Sequence, residues 1–150
     1  MLRFQPEDPN FEVRVRSSFQ RQKLMERIGA VLTRVAPGEV EIELPPNDDV
    51  MQQHGYVHAG IVTAIADSAC GYAALSLSPA GAEVLTVEYK VNFMAPAHGT
   101  RLVARGRVMR PGRTISVCEG EVIAVRGDTE IRVAAMLATM IRSSTAARIR

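Results

Sequence analysis

Within the apolar run from Val57 to Leu77 stands one carboxylate, Asp67. An ionised carboxyl taken out of water costs several kcal/mol unless a partner holds it or a function uses it. Two roles fit. It is either an acid tied by backbone or hydroxyl donors that fix a helix against a sheet, or a nucleophile or general base. A second group with chemistry lies at the start of the run, where His58, Ala59 and Gly60 follow a glycine-containing loop. The first turn of a helix leaves N–H groups unpaired at the positive end of its macrodipole, so it can polarise a carbonyl or hold an oxyanion. Ala59 and Asp67 are eight residues apart, or about 12 Å along a helix axis, whereas an attacking group must come within about 3 to 3.5 Å of its target carbon. One helix cannot bring both to one bond. If both act on it, two copies of the chain supply them and the chemistry requires a dimer.

Other residue sets carry weaker signals. His54 and His58 have the i, i+4 spacing of a zinc pair, but Gly55 argues against a helix there and no third ligand is evident, so no metal is expected. Ser68 adjoins Asp67 without a G-x-S-x-G elbow, and neither G-x-G-x-x-G nor a Walker A sequence occurs. Arg101, Arg105 and Arg107 share a strand face and Arg110 and Arg113 flank the next turn. The commoner meaning is a solvated face that discourages edge pairing, and the functional one is phosphate binding.

The elements that position these groups follow from pattern. The run after Val57 predicts a helix buried on most of its circumference, with Gly60, Ala64, Ala66, Ala69 and Gly71 small enough for strands to lie close. Asn10 to Ile28 reads as one helix. Gly29 to Ala36, a Pro37-Gly38 turn and Glu39 to Leu44 read as a hairpin. Long strands are expected at Val84 to Met94, Thr100 to Met109, Thr114 to Arg126 and Glu130 to Arg142, broken by turn residues. Alternation puts Thr86, Glu88, Lys90 and Asn92 on one face, opposite Val87, Tyr89, Val91 and Phe93. The fold class is α+β, a curved antiparallel sheet around one helix. Residues 1–9 are expected to be a loose lead and 143–150 a frayed basic tail.

A chain of 150 residues suits a single domain, and 47% hydrophobic with 23% charged residues is an ordinary globular balance. A net charge of +2 gives no argument for nucleic acid. The N-terminal residues hold no apolar signal core and the one long apolar run contains Asp67, so neither secretion nor a membrane span is expected. Cys70 and Cys118 read as reduced, packed thiols of a cytoplasmic protein.

Gln52, Gly55, His58, Ala59, Gly60 and Asp67 together resemble the N/Q-x-x-G-x-x-H-G-G pattern, with an acid nine residues after the His, of the PaaI-like hotdog-fold acyl-CoA thioesterases. The stretches LTVEYKVNFMAPAHG (85–99) and GRTISVCEGEV (112–122) look like that family's third and fifth strands, so the resemblance covers nearly the whole chain. One departure is Ala59, where the family has Gly: the N–H survives, but a methyl group faces the thioester. The resemblance implies hydrolysis of an acyl-CoA to acid and free CoA, without a cofactor, in a homodimer and a homotetramer built as a dimer of dimers. It implies that Ala59 N–H polarises the carbonyl, that Asp67 attacks or activates water, that Thr86 sits close to the acid, and that Gln52 orients water or thioester, with Gln53 its rival. His58 and Gly60 would support substrate binding, and Arg110 and Arg113 would meet CoA phosphates. Alternatives are a non-catalytic acyl-CoA sensor, and a lyase in which His54 pairs with Asp67, though the dehydratases' proline-rich loop is missing.

Overall fold

The computed structural model describes residues 4–144. Its axis is α3 (Ala59–Leu77), preceded by α1 (Phe11–Arg21), α2 (Lys23–Ile28), the hairpin β1 (Val31–Ala36) and β2 (Glu39–Leu44), and a 3-10 turn at Asp48–Val50. Four long strands follow, β3 (Glu83–Phe93), β4 (Arg101–Arg110), β5 (Ile115–Arg126) and β6 (Thr129–Ser143). They join the hairpin in one antiparallel sheet ordered β1-β2-β4-β5-β6-β3.

The sheet presses directly on α3 because both surfaces are small at the contact. A Cβ on Gly106 would fall 2.2 Å from the Ala69 carbonyl carbon, and one on Gly120 would fall 2.9 Å from Cys70 Sγ. Around this seam Ile42, Leu44, Ile65, Leu102, Val122 and Met140 are fully buried. By length and composition α3 could cross a membrane, but here the sheet wraps it. A stripe at Gly60, Thr63, Ala64, Asp67 and Gly71 is not buried by this chain.

Three expectations need correction. The helix over 10–28 is two helices, broken at Gln22 (φ −78°, ψ 100°). In an unbroken helix Met25 would point about 240° away from Phe19, at 100° per residue. The break rotates α2 so that Met25 and Ile28 bury alongside Val15 and Phe19. Second, Thr86 does not share a face with Glu88. Thr86 pairs with Met140 and Glu88 with the adjacent Thr139, so Val87 is an extra residue in a β-bulge. The bulge turns Thr86 toward α3, on the same side as Tyr89, Val91 and Phe93, which pair with the buried Ala138, Met136 and Ala134. Glu88, Lys90 and Asn92 take the outer face.

The third correction concerns the N-terminal lead, whose residues 4–9 form no helix or strand yet are tied down. Phe4 packs on the core, and Asp8 is buried. Asp8 Oδ2 lies 3.4 Å from Arg14 Nε. The Arg14 guanidinium donates to the carbonyls of Leu75 (3.0 Å), Ser78 (2.6 Å) and Pro79. A cation thus closes the negative end of α3. At the other terminus Ser143 completes β6, Ser144 follows outside any helix or strand, and residues 145–150 of the expected tail lie outside the described residues.

Candidate active site

The loop entering α3 is held from several sides. Met51 bridges Val57, Val57 N–H donates to Ala97 O (2.9 Å), and His58 N–H donates to Val50 O (2.9 Å). Gln52 closes the loop on itself: its N–H donates to Tyr56 O (2.8 Å), and its side-chain oxygen accepts from the His54 and Tyr56 N–H groups. The Gln52 amide NH2 remains as a donor. His58 is the N-cap, with Nδ1 accepting from Gly60 N–H at 2.9 Å, which places the ring proton on Nε2. Ile61 and Val62 both donate to His58 O, at 2.9 and 3.1 Å.

Of the four N–H groups that open α3, only that of Ala59 has no acceptor among the described residues. Gly60 therefore serves the cap: a Cβ there would come within 3.0 Å of the His58 ring, and its N–H is already engaged. Ala59 lies in a cleft of about 570 Å³ with Gln52, Gln53, His58, Val62, Phe93 and Met94. A carbonyl oxygen entering there meets one free donor at the positive end of a 19-residue helix.

Asp67 occupies a second cleft, of about 230 Å³. Thr86 Oγ1 donates to Asp67 Oδ1 at 2.7 Å. Met140 Sδ is 3.4 Å from the same hydroxyl, but one hydroxyl proton serves one acceptor and the carboxylate is the stronger. Asp67 is half-buried on the uncovered stripe of α3, so water still reaches it. Ser68 Oγ donates to Gln22 Oε1 (3.3 Å), and the Ser18 and Tyr72 hydroxyls lie 3.5 Å apart. Burial raises the Tyr72 phenol. Behind Asp67 the thiols of Cys70 and Cys118 are buried, which pushes Cys118 up to about 12 and Cys70 further.

The two clefts have no lining residue in common. Within one chain, Gln52, His58 and Ala59 meet at one end of α3, and Asp67 and Thr86 meet partway along it. Arg110 and Arg113 join neither group. Arg110 lies in the register row of Val117, Thr139 and Glu88 on the outer face, Arg113 is in the β4–β5 turn, and neither has an ion pair among the described residues. Arg101, Arg105 and Arg107 are engaged with Glu43, with Glu41, Glu121 and Glu130, and with Glu119, respectively, which makes the outer face an ion-pair lattice. Among the described residues no group of three His, Cys, Asp or Glu could hold a metal ion. No local sequence signal ties Gln22, Ser18 and Tyr72 to Asp67, because only the packing of α1 on α3 brings them to the cleft.

A long helix wrapped by this antiparallel sheet is the hotdog fold, and comparison with known proteins agrees. The structure of the PaaI protein of the Escherichia coli phenylacetic acid degradation operon superposes with a TM-score of 0.81 over 92% of this chain and 96% of its own, at 16% identity, which shows the fold alone. A thioesterase family protein from Silicibacter pomeroyi is 46% identical, with a TM-score of 0.88 over 89% of this chain and 98% of its own. The family model of the thioesterase superfamily matches residues 54–131, over half of the chain, and the chain belongs to that superfamily. A Saccharolobus solfataricus protein named "Putative esterase" is 33% identical over 84 residues, 56% of this chain and 59% of that protein's length.

Proposed function

We propose that the protein hydrolyses an acyl-CoA thioester to a carboxylic acid and free CoA, at two active sites each shared between two copies of the chain. The observation that carries this is the separation of the two half-sites along α3, together with the state of β3. That strand forms an edge of the sheet, and Leu85, Val87, Tyr89 and Phe93 on it are 43–54% exposed. An apolar edge with unpaired backbone groups calls for a partner strand. β3 also connects the half-sites, with Thr86 in one cleft and Phe93 in the other. Two β3 strands paired antiparallel about a two-fold axis set the Thr86 end of one copy against the Phe93 end of the other. Ala59 N–H then comes from one protomer, and Asp67 and Thr86 from its partner.

In this arrangement the thioester oxygen accepts from Ala59 N–H, helped by the Gln52 NH2 group. Thr86 fixes Oδ1 of Asp67, leaving Oδ2 to take a proton from water. The water oxygen bonds to the acyl carbon, negative charge gathers at the Ala59 N–H, and collapse breaks the C–S bond. Asp67 returns its proton to the departing thiolate, so thioester plus water becomes acid plus thiol. Free-thiol release from benzoyl-CoA and octanoyl-CoA tests the reading. Wild type is expected to turn over at least one of them, with Asp67→Asn slower by about 10²- to 10⁴-fold. Binding of acyl-CoA with no thiol release by wild type would replace the hydrolase with a sensor.

A further inference from the structure

The Asp67 cleft has a wall made by Ser18 of α1 and by Gln22, the residue between α1 and α2, in a segment outside the residues matched by the family model. Where α1 ends and α2 begins, Gln22 serves both helices through its backbone: its N–H donates to Phe19 O (3.0 Å) and its carbonyl accepts from Glu26 N–H (3.3 Å). Its side chain caps neither. It turns to α3 instead, where Ser68, itself buried and next to Asp67, donates to its Oε1 at 3.3 Å. With the oxygen end held, the carboxamide NH2 group is left with two protons and no acceptor among the described residues. The same cleft holds Asp67 and Thr86.

We propose that Gln22 is the water-positioning residue of the Asp67 half-site, and that Ser68 acts through it as a positioning residue. This rests on the hydrolase reading above. A water attacking a carbonyl gives one proton to Asp67 Oδ2 and aims one lone pair at the carbon. Its second lone pair accepts from the Gln22 NH2 group. Two fixed partners define where the oxygen sits, and Ser68 defines where the NH2 group sits. The packing of Met25 and Ile28 makes the helix break, and the break is what delivers this carboxamide to the cleft.

The experiment is steady-state thiol release from benzoyl-CoA and octanoyl-CoA by Gln22→Met, Gln22→Glu, Ser68→Ala and the Gln22→Met/Ser68→Ala double variant, with thermal melts and solution mass in parallel. Gln22→Met keeps the side chain's bulk and is expected to lower kcat about 10- to 100-fold with KM within about 3-fold. Gln22→Glu keeps the acceptor for Ser68 but sets a second carboxylate beside the first, so the acid limb of the kcat profile moves to higher pH. Ser68→Ala lowers kcat less, and the double variant is no slower than Gln22→Met, because Ser68 acts only through Gln22. Wild-type kcat in Gln22→Met, a loss confined to KM, an unmoved acid limb in Gln22→Glu, or additive losses in the double variant would each overturn the proposal while leaving the hydrolase intact. No thiol release by wild type would overturn the hydrolase reading and this proposal with it.

Discussion

Ala59 offers a perturbation that removes a single atom group from the proposed chemistry. It is the first residue of α3, and the preceding His58 has φ −57° and ψ 135°, the extended conformation that a following proline demands. Proline is well tolerated at the first helical position, where its missing N–H would be unpaired in any case. Ala59→Pro therefore deletes the donor of the α3 entrance that has no acceptor among the described residues, while the Gly60 to His58 cap and both bonds to His58 O remain. Fold stability is expected to stay within about 1 kcal/mol of wild type, with the lost freedom of the unfolded chain favouring the variant. Losing an oxyanion donor is worth about 10²- to 10³-fold in kcat, or roughly 3 to 4 kcal/mol. Thiol-release kinetics beside a chemical denaturation curve measure both. A correctly folded Ala59→Pro protein with kcat within about 3-fold of wild type would refute the assignment of that N–H to the carbonyl.

Arg14→Met leaves Asp8 buried without its cation and strips donors from the C-terminal carbonyls of α3, so it is expected to cost about 3 kcal/mol, read as a lower urea midpoint at unchanged m-value. The buried thiols make stability fall in alkali: they stay protonated in the folded chain while the unfolded chain ionises from about pH 9, so stability is complete below that pH and drops as pH rises toward 12. The slope is about 1.4 kcal/mol per pH unit for each thiol. Cys118→Ala should flatten that slope in denaturation curves taken between pH 8 and 10.5.

Elements marked by periodicity and turn residues were legible in the sequence. The pattern starts β5 at Thr114 and the strand begins at Ile115, and the hairpin turns at Pro37-Gly38 as its residues require. Features decided by distant partners were not. Leu85 to Phe93 alternates without a flaw, and the bulge at Val87 exists only in the register with β6. The break at Gln22 answers to packing of Met25 and Ile28 on the core. Asp67 and Ala59 stood out because an acid in an apolar run and small residues at a helix entrance are local anomalies. That Thr86 adjoins the acid came only through the family resemblance, and the structure places the two 2.7 Å apart. The engagement of Gly60 by an imidazole cap and the entry of Gln22 into the cleft depend on side-chain directions that no spacing rule encodes.

Subunit complementation asks whether Ala59 and Asp67 meet across two copies of the chain. Ala59→Pro damages one half-site and Asp67→Asn the other, so each homodimer holds no complete site. After subunit exchange in an equal mixture, half of the dimers are mixed and each carries one intact site, so turnover should return to about a quarter of wild type. Turnover that stays at the level of the two variants measured apart would mean that Ala59 and Asp67 do not meet across two copies of the chain.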